Sequence, residues 1–143
     1  MEQNFDLDTE DIQLNANNNL QVEKKIWNKY VLHILVIIPT ICTICGNNHI
    51  NIYDNESICN PYVARCTSVK CRKIYYLRAK TVLDMFPRTK VSTILYIFKL
   101  SILEKKNTND IYNKIKQEDE NINLSKEKVR QILKTMRHLL RIF

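Results

Sequence analysis

Cys42-Thr43-Ile44-Cys45-Gly46 is the stretch on which the fold of this chain turns. Glycine occurs once in 143 residues, and it stands directly after this Cys-x-x-Cys pair. A metal knuckle needs a tight turn at that point, so that backbone amides can face the sulfurs. A residue with a Cβ resists the positive φ such turns favour. A second pair follows in Cys66-Thr67-Ser68-Val69-Lys70-Cys71. Two pairs spaced C-x2-C and C-x4-C, with a hairpin-sized segment between, come close to the zinc-ribbon pattern. Cys42, Cys45, Cys66 and Cys71 are therefore the expected ligands of one structural Zn2+.

Buried unliganded thiols and disulfides are the rival readings. The cysteines number five, an odd count, and the opening Met1-Glu2-Gln3-Asn4-Phe5-Asp6 is acidic and then polar, unlike a secretory leader. Both features point to an intracellular protein, in the nucleus of a eukaryote or otherwise in the cytoplasm or nucleoid. Cys59 lies beside the turn signal Asn60-Pro61 and reads as a half-buried loop residue; His49 opens an alternating run and reads as a strand residue. Either is the natural substitute should one of the four cysteines not reach the metal.

The net charge of +7 conceals an asymmetry: residues 1–30 carry six acids and three lysines, a net of −3, so the remainder carries +10. A basic body suits a polyanion, nucleic acid before anionic membrane. Solvated lysine-rich helices are the plainer explanation.

Residues 1–20, rich in asparagine and acid, read as a disordered tail. From 21 to 39 apolar residues at Val22, Ile26, Tyr30, Ile34 and Ile37 mark a leading helix ended by Pro39. The apolar run Val31–Ile38, which contains His33, is far shorter than the ~20 residues needed to span a membrane. Residues 40–86 read as the ribbon, with strand-like passages around Ile50–Tyr53, Tyr62–Arg65 and Arg72–Leu77. Three short strands bury too little to fold unaided, so the metal supplies much of their stability.

From 87 to 143 the period becomes helical. Val91, Ile94, Leu95, Ile97, Phe98 and Ile102 make a core helix with Ser92, Thr93, Lys99 and Ser101 facing water. Asn107-Thr108 caps a second helix carrying Ile111 and Ile115. Residues 117–121 form a polar connector, and Ser125 caps a long third helix. That helix turns Val129, Ile132, Leu133, Met136, Leu139, Leu140 and Phe143 to a core. Arg130, Lys134, Arg137 and Arg141 fall within about 60° of one another beside this face. A guanidinium-rich stripe beside a core face suits a major-groove reader, with Lys126 and Lys128 near the helix start placed for phosphates. The fold expected is α+β, mainly α: a small zinc ribbon of antiparallel strands, then a three-helix helix-turn-helix unit.

In this order of parts the chain resembles the N-terminal region of Merlin-type transposases and their bacterial insertion-sequence relatives, over residues 21–143. In that family the ribbon and helix-turn-helix bind the element's terminal repeats, and a separate RNase-H-like domain cuts and joins DNA with divalent metal ions. The family's second cysteine pair is tighter and is often followed by a glycine-threonine turn; here the pair is stretched, and Lys80-Thr81-Val82 lacks the glycine. Only 72 residues follow Cys71, in a helical pattern, and Glu118, Asp119 and Glu120 crowd one connector instead of converging from different elements. No catalytic domain is expected in this chain. The resemblance implies sequence-specific binding of double-stranded DNA by the N-terminal part of a truncated or domesticated transposase, with a homodimer or a full-length transposase as further partners. A zinc-ribbon adaptor that binds protein, or a non-functional remnant, are the alternatives.

Overall fold

The computed structural model describes residues 12–32 and 34–142, excepting the side chains of residues 139–142. Residues 1–11, His33 and Phe143 lie outside the described residues. The chain divides into two compact units. One spans Asn19–Lys90; the other runs from Val91 to the C-terminal helix and includes residues 12–18.

In the first unit, Asn19 caps helix α1 (Leu20–Ile26), its side-chain oxygen accepting from the amides of Gln21 and Val22 at 3.0 and 3.3 Å. The helix then widens. Over Trp27–Val31 the bonding becomes i to i+5, with the Leu32 amide donating to the Trp27 carbonyl at 2.9 Å. Of the stripe expected at Val22, Ile26, Tyr30, Ile34 and Ile37, Ile26 is buried and Tyr30 half-buried. Val22, Ile34 and Ile37 are exposed, whereas Glu23, Ile26, Trp27, Val31 and Leu32 are buried. Docking sets the face. Trp27 and Lys24 lie against the Tyr62 ring, Asn28 donates to its hydroxyl at 2.9 Å, and Lys24 reaches Asp54 at 3.5 Å. The helical run ends at Val31, short of the Pro39 expected, so Ile34 and Ile37 fall in turns and irregular chain and not on a helix face.

The sheet is antiparallel in the order β1 (Ile50–Ser57), β2 (Asn60–Cys66), β3 (Ile74–Tyr76). Ile50 stands opposite Cys66 and Asp54 opposite Tyr62, with an irregularity between Asp54 and Ser57 before the tight turn at Ile58-Cys59. The strand expected over Arg72–Leu77 contracts to Ile74–Tyr76. Arg72 takes a φ of +50°, outside strand geometry, and Leu77 opens a turn.

A buried arginine organises the rest of this unit. Arg78 is 2% exposed, and its two terminal nitrogens donate to four carbonyls: Cys59 at 3.0 Å, Thr89 at 2.8 Å, Leu83 at 2.8 Å and Phe86 at 2.5 Å. One guanidinium thereby ties the hairpin tip to the 3₁₀ turn Val82–Met85 and to the segment leading to Lys90. Burial lowers its pKa, while Cys59, Asp84 and Glu23 act in the other direction.

The second unit packs α2 (Val91–Ile102), α3 (Thr108–Glu118) and α4 (Lys126–Ile142). Both expected caps form: Asn107 accepts from the Asp110 amide at 2.9 Å, and Ser125 from the Lys128 amide at 3.0 Å. Ile94, Ile97, Leu100, Ile111, Ile115, Val129, Ile132 and Leu133 make the core. Ser92 and Thr93, expected to face water, are buried, and Lys99 and Ser101 are half-buried, because the first two turns of α2 are covered on every side. Part of that cover is the tail. Ile12 and Asn15 are buried and Lys99 donates to the Ile12 carbonyl at 3.1 Å, so the expected disorder does not extend through residues 12–20. Among the described residues there is no sheet besides this three-stranded one, and nothing resembles an RNase-H-like domain. No helix among them is long and apolar enough to cross a membrane.

Candidate functional site

The two cysteine pairs meet at one point. The Sγ atoms of Cys42, Cys45, Cys66 and Cys71 all lie within 4.8 Å of one another, and the pairs approach closely across the site, Cys42 to Cys71 at 3.6 Å and Cys45 to Cys66 at 3.5 Å. Four thiolates about 2.3 Å from a tetrahedral ion stand about 3.8 Å apart, so the cluster fits Zn2+. All five cysteines are free, and these gaps are far too long for disulfides. His49 and Cys59 are not members. His49 uses its backbone carbonyl to hold Thr67, and the Cys59 carbonyl serves Arg78, while burial pushes its thiol pKa up.

Each knuckle is built by its backbone. The Gly46 amide donates to the Cys42 carbonyl at 2.9 Å with Gly46 at φ +74°, as the lone glycine demands. In the second knuckle the Arg72 amide donates to the Ser68 carbonyl at 3.0 Å, and Arg72, directly after Cys71, takes the left-handed conformation. The two turns therefore have the same form. Ser68 occupies the place that Cys42 holds in the first, and the fourth thiol comes from Cys66 at the end of β2. That is the physical origin of the C-x4-C spacing. Lys80, where the resemblance leads one to look for glycine, likewise takes a φ of +62°.

Two residues that the sequence did not announce support the sulfurs. The Tyr75 hydroxyl accepts from the Thr43 amide at 2.9 Å and donates to Cys42 Sγ at 3.2 Å. That bond, with amides of Cys45 and Ile44, outweighs burial and lowers the Cys42 pKa to about 6. Asn47 Nδ2 lies 3.5 Å from Cys66 Sγ and 3.1 Å from the Thr67 hydroxyl. At Cys45 the Asn47 amide acts to lower the pKa, but burial and the other three thiols carry it up to about 12. Four sulfurs this close cannot all ionise without a cation among them, and Zn2+ supplies that charge when bound. The signal for Tyr75 was the strand period: in Tyr75-Tyr76 one ring must face the knuckles and the other must face away.

The helical unit carries the other candidate residues. Arg130, Lys134 and Arg137 are exposed on α4 beside the buried Val129, Ile132, Leu133 and Met136. Arg130 is held at 2.6 Å by Glu127 one turn earlier, an exposed pair that costs little to open. Lys126 is exposed, its ammonium 5.5 Å from the Tyr112 ring centre of α3; Lys128 is half-buried. The Arg141 side chain, like those of Leu139 and Leu140, lies outside the described set. Seven residues, Asp119 to Ser125, join α3 to α4, more than the three or four of the tightest helix-turn-helix. Glu118 accepts from the Tyr96 hydroxyl at 2.9 Å, and Asp119 accepts from the Asn121 amide, so these acids serve local structure. The four cysteines are the one metal-competent cluster among the described residues.

No protein-family model matches this chain, and neither the curated proteins nor the solved structures contain a significant match. Its class therefore rests on its own geometry: a four-cysteine zinc ribbon joined to a three-helix, helix-turn-helix-like unit, an architecture suited to binding nucleic acid or protein.

Proposed function

We propose that this protein binds double-stranded DNA through α4, with the zinc ribbon as a second, metal-folded module of the same chain. The observation that carries the reading is the exposed row Arg130, Lys134 and Arg137 on a helix whose neighbouring face is buried in a three-helix core. Such a helix is rigid along its buried side and presents forked donors along the other, which suits guanine edges and phosphates. Lys126 and Lys128, at the start of the helix, would then meet the backbone.

The resemblance to Merlin-type transposases makes the terminal repeats of a mobile element the natural target, and a second copy or a full-length transposase the natural partner. Left-handed Lys80, where the family often places glycine, supports that reading. A protein-binding adaptor is favoured by a different observation: Ile44 and Val69, one in each knuckle, are 70% and 79% exposed.

Titrating labelled duplex at two salt concentrations separates the two. Wild type should lose affinity steeply with salt. Arg130→Ala or Lys134→Ala should cost about 1–3 kcal/mol at a specific site, and Lys126→Ala should weaken all sequences evenly. Equal, salt-insensitive binding by wild type and the Arg130→Ala/Lys134→Ala variant would refute the α4 assignment.

A further inference from the structure

The zinc end of the ribbon unit carries apolar side chains that the unit itself does not cover. Ile41, Ile44 and Val69 are 58%, 70% and 79% exposed, and each lies within two residues of a zinc-ligating cysteine. The four sulfurs converge, so the three side chains share one end of the unit. Space beside them is open: a Cβ built on Gly46, next to Cys45, would meet nothing within 4 Å. The chain entering the first knuckle is apolar as well, with Ile34 and Ile37 exposed beyond α1. Because the two knuckle turns have the same form, with Ser68 in the place of Cys42, Lys70 stands in the second where Ile44 stands in the first. One tip is aliphatic, and the other is an ammonium on an alkyl stem beside Val69.

Charge is sorted along the same axis. Lys70, Arg72 and Lys73 are exposed within two residues of Cys71, and no acid comes that close in sequence to any of the four ligands. The acids of the Asn19–Lys90 unit are placed elsewhere. Asp54 and Glu56 stand on β1 beyond Ile50, the partner of Cys66, and strand rise carries them about 13 and 20 Å toward the hairpin turn. Asp84 belongs to the 3₁₀ turn that Arg78 ties to Cys59 at that hairpin turn, and Glu23 is buried on α1. A basic end tipped with branched aliphatics calls for a polyanion that also takes up alkyl groups.

Nucleic-acid bases stack on rings, and Ile41, Ile44 and Val69 offer none. Hot spots for folded proteins are drawn mostly from Trp, Tyr and Arg seated in pockets. The interface of an anionic bilayer accepts aliphatic side chains without a matched cavity and attracts lysine and arginine beside them. We propose that the zinc end of the ribbon docks on an anionic membrane surface. Ile41, Ile44 and Val69 enter the interfacial layer, and Lys70, Arg72 and Lys73 meet the lipid headgroups. Neither signal suffices alone: three partly inserted side chains hold weakly, and the cations make the contact stable. The site is in a different unit from the α4 stripe and stands or falls independently of it.

The zinc-loaded full chain is sedimented with vesicles of phosphatidylcholine alone and of phosphatidylcholine mixed with phosphatidylserine. Wild type should partition at least about 10-fold more strongly onto the anionic vesicles. Ile44→Ser and Val69→Ser should each weaken that binding about 5- to 30-fold, while Ile44→Leu stays within about twofold. Lys70→Gln should weaken it about fivefold. The Arg130→Ala/Lys134→Ala variant should still bind, and excess inorganic phosphate should not displace the protein. Zinc content and Trp27 fluorescence establish that each variant is folded. Absence of binding to anionic vesicles would overturn the proposal and leave the tips to a protein partner. Folded serine variants that bind like wild type, binding lost only in the Arg130→Ala/Lys134→Ala variant, or release by phosphate would each overturn it too.

Discussion

Replacing Arg78 by methionine should destabilise the ribbon unit by about 3 kcal/mol. Its four bonds to Cys59, Leu83, Phe86 and Thr89 carbonyls are charge-assisted, at about 1.5–3 kcal/mol each, for a gross figure of about 6–12 kcal/mol. Against this stands the desolvation of a buried guanidinium, several kcal/mol that methionine does not incur. The Leu83 and Phe86 carbonyls also accept from the amides of Phe86 and Thr89, at 3.2 and 3.0 Å, so the loss falls chiefly on the Cys59 and Thr89 carbonyls, and the difference should still be positive. Arg78→Lys keeps the charge but has a single nitrogen to share among four acceptors, so it should fall between. Trp27, the only tryptophan, is fully buried in this same unit, and its fluorescence reports unfolding there alone. With zinc concentration held fixed, Arg78→Met should lower the thermal midpoint by roughly 10–20 °C, as for a domain of this size. A methionine variant within about 1 kcal/mol of wild type would refute the reasoning, since the carbonyls would then be satisfied without the arginine.

The zinc site gives a sharper, all-or-none test. Cys45→Ser or Cys66→Ser should abolish zinc retention and Cys59→Ser should leave one equivalent bound, measured as metal content after gel filtration. Chelation should raise amide exchange across Thr40–Leu77 far more than in α2 to α4. Arg72→Gly and Lys80→Gly should each stabilise the ribbon by about 0.5–1 kcal/mol in denaturant titration, since both positions hold a Cβ in the left-handed region. Tyr75→Phe should weaken zinc affinity about 10-fold or more in chelator competition, having lost the hydroxyl that donates to Cys42. It should also raise the pH at which zinc is released. The Tyr75 bond favours the Cys42 thiolate, so its loss lets protons compete better with zinc for that sulfur and moves the release point up.

What the sequence disclosed was whatever follows from residue type at fixed spacing. The cysteine pairs, the hairpin, the caps at Asn107 and Ser125, the apolar face of α3 and that of α4 as far as Met136 are local patterns, and they form. What escaped depends on partners distant in sequence. Arg78 reads as one more basic residue in a basic stretch until the turns at Leu83, Phe86 and Thr89 close around it. Glu23 is buried on the helix face where periodicity would place Val22, because Tyr62 and Asp54, more than 30 residues away, decide how α1 docks. Ser68 could not be read as the turn residue of a second knuckle, since the pattern of cysteines alone points to Cys66. The stripe on α4 was legible as far as Arg137.

The register of the hairpin also sets an order of events. Ile50 opposite Cys66 carries the pairing on to the Thr67 amide, which donates to the His49 carbonyl at 3.1 Å, just beyond the strands. A two-residue turn at Ile58-Cys59 closes this ladder, and such hairpins form within about 1–10 μs. Closure of β1 on β2 would by itself bring the Cys42 and Cys66 segments to each other, without the ion. The hairpin alone is marginal, so in the metal-free chain this encounter is brief and repeated. Zinc uptake should then follow the fraction of time the ladder is closed, and a substitution that slows β1–β2 pairing should delay it without touching a sulfur.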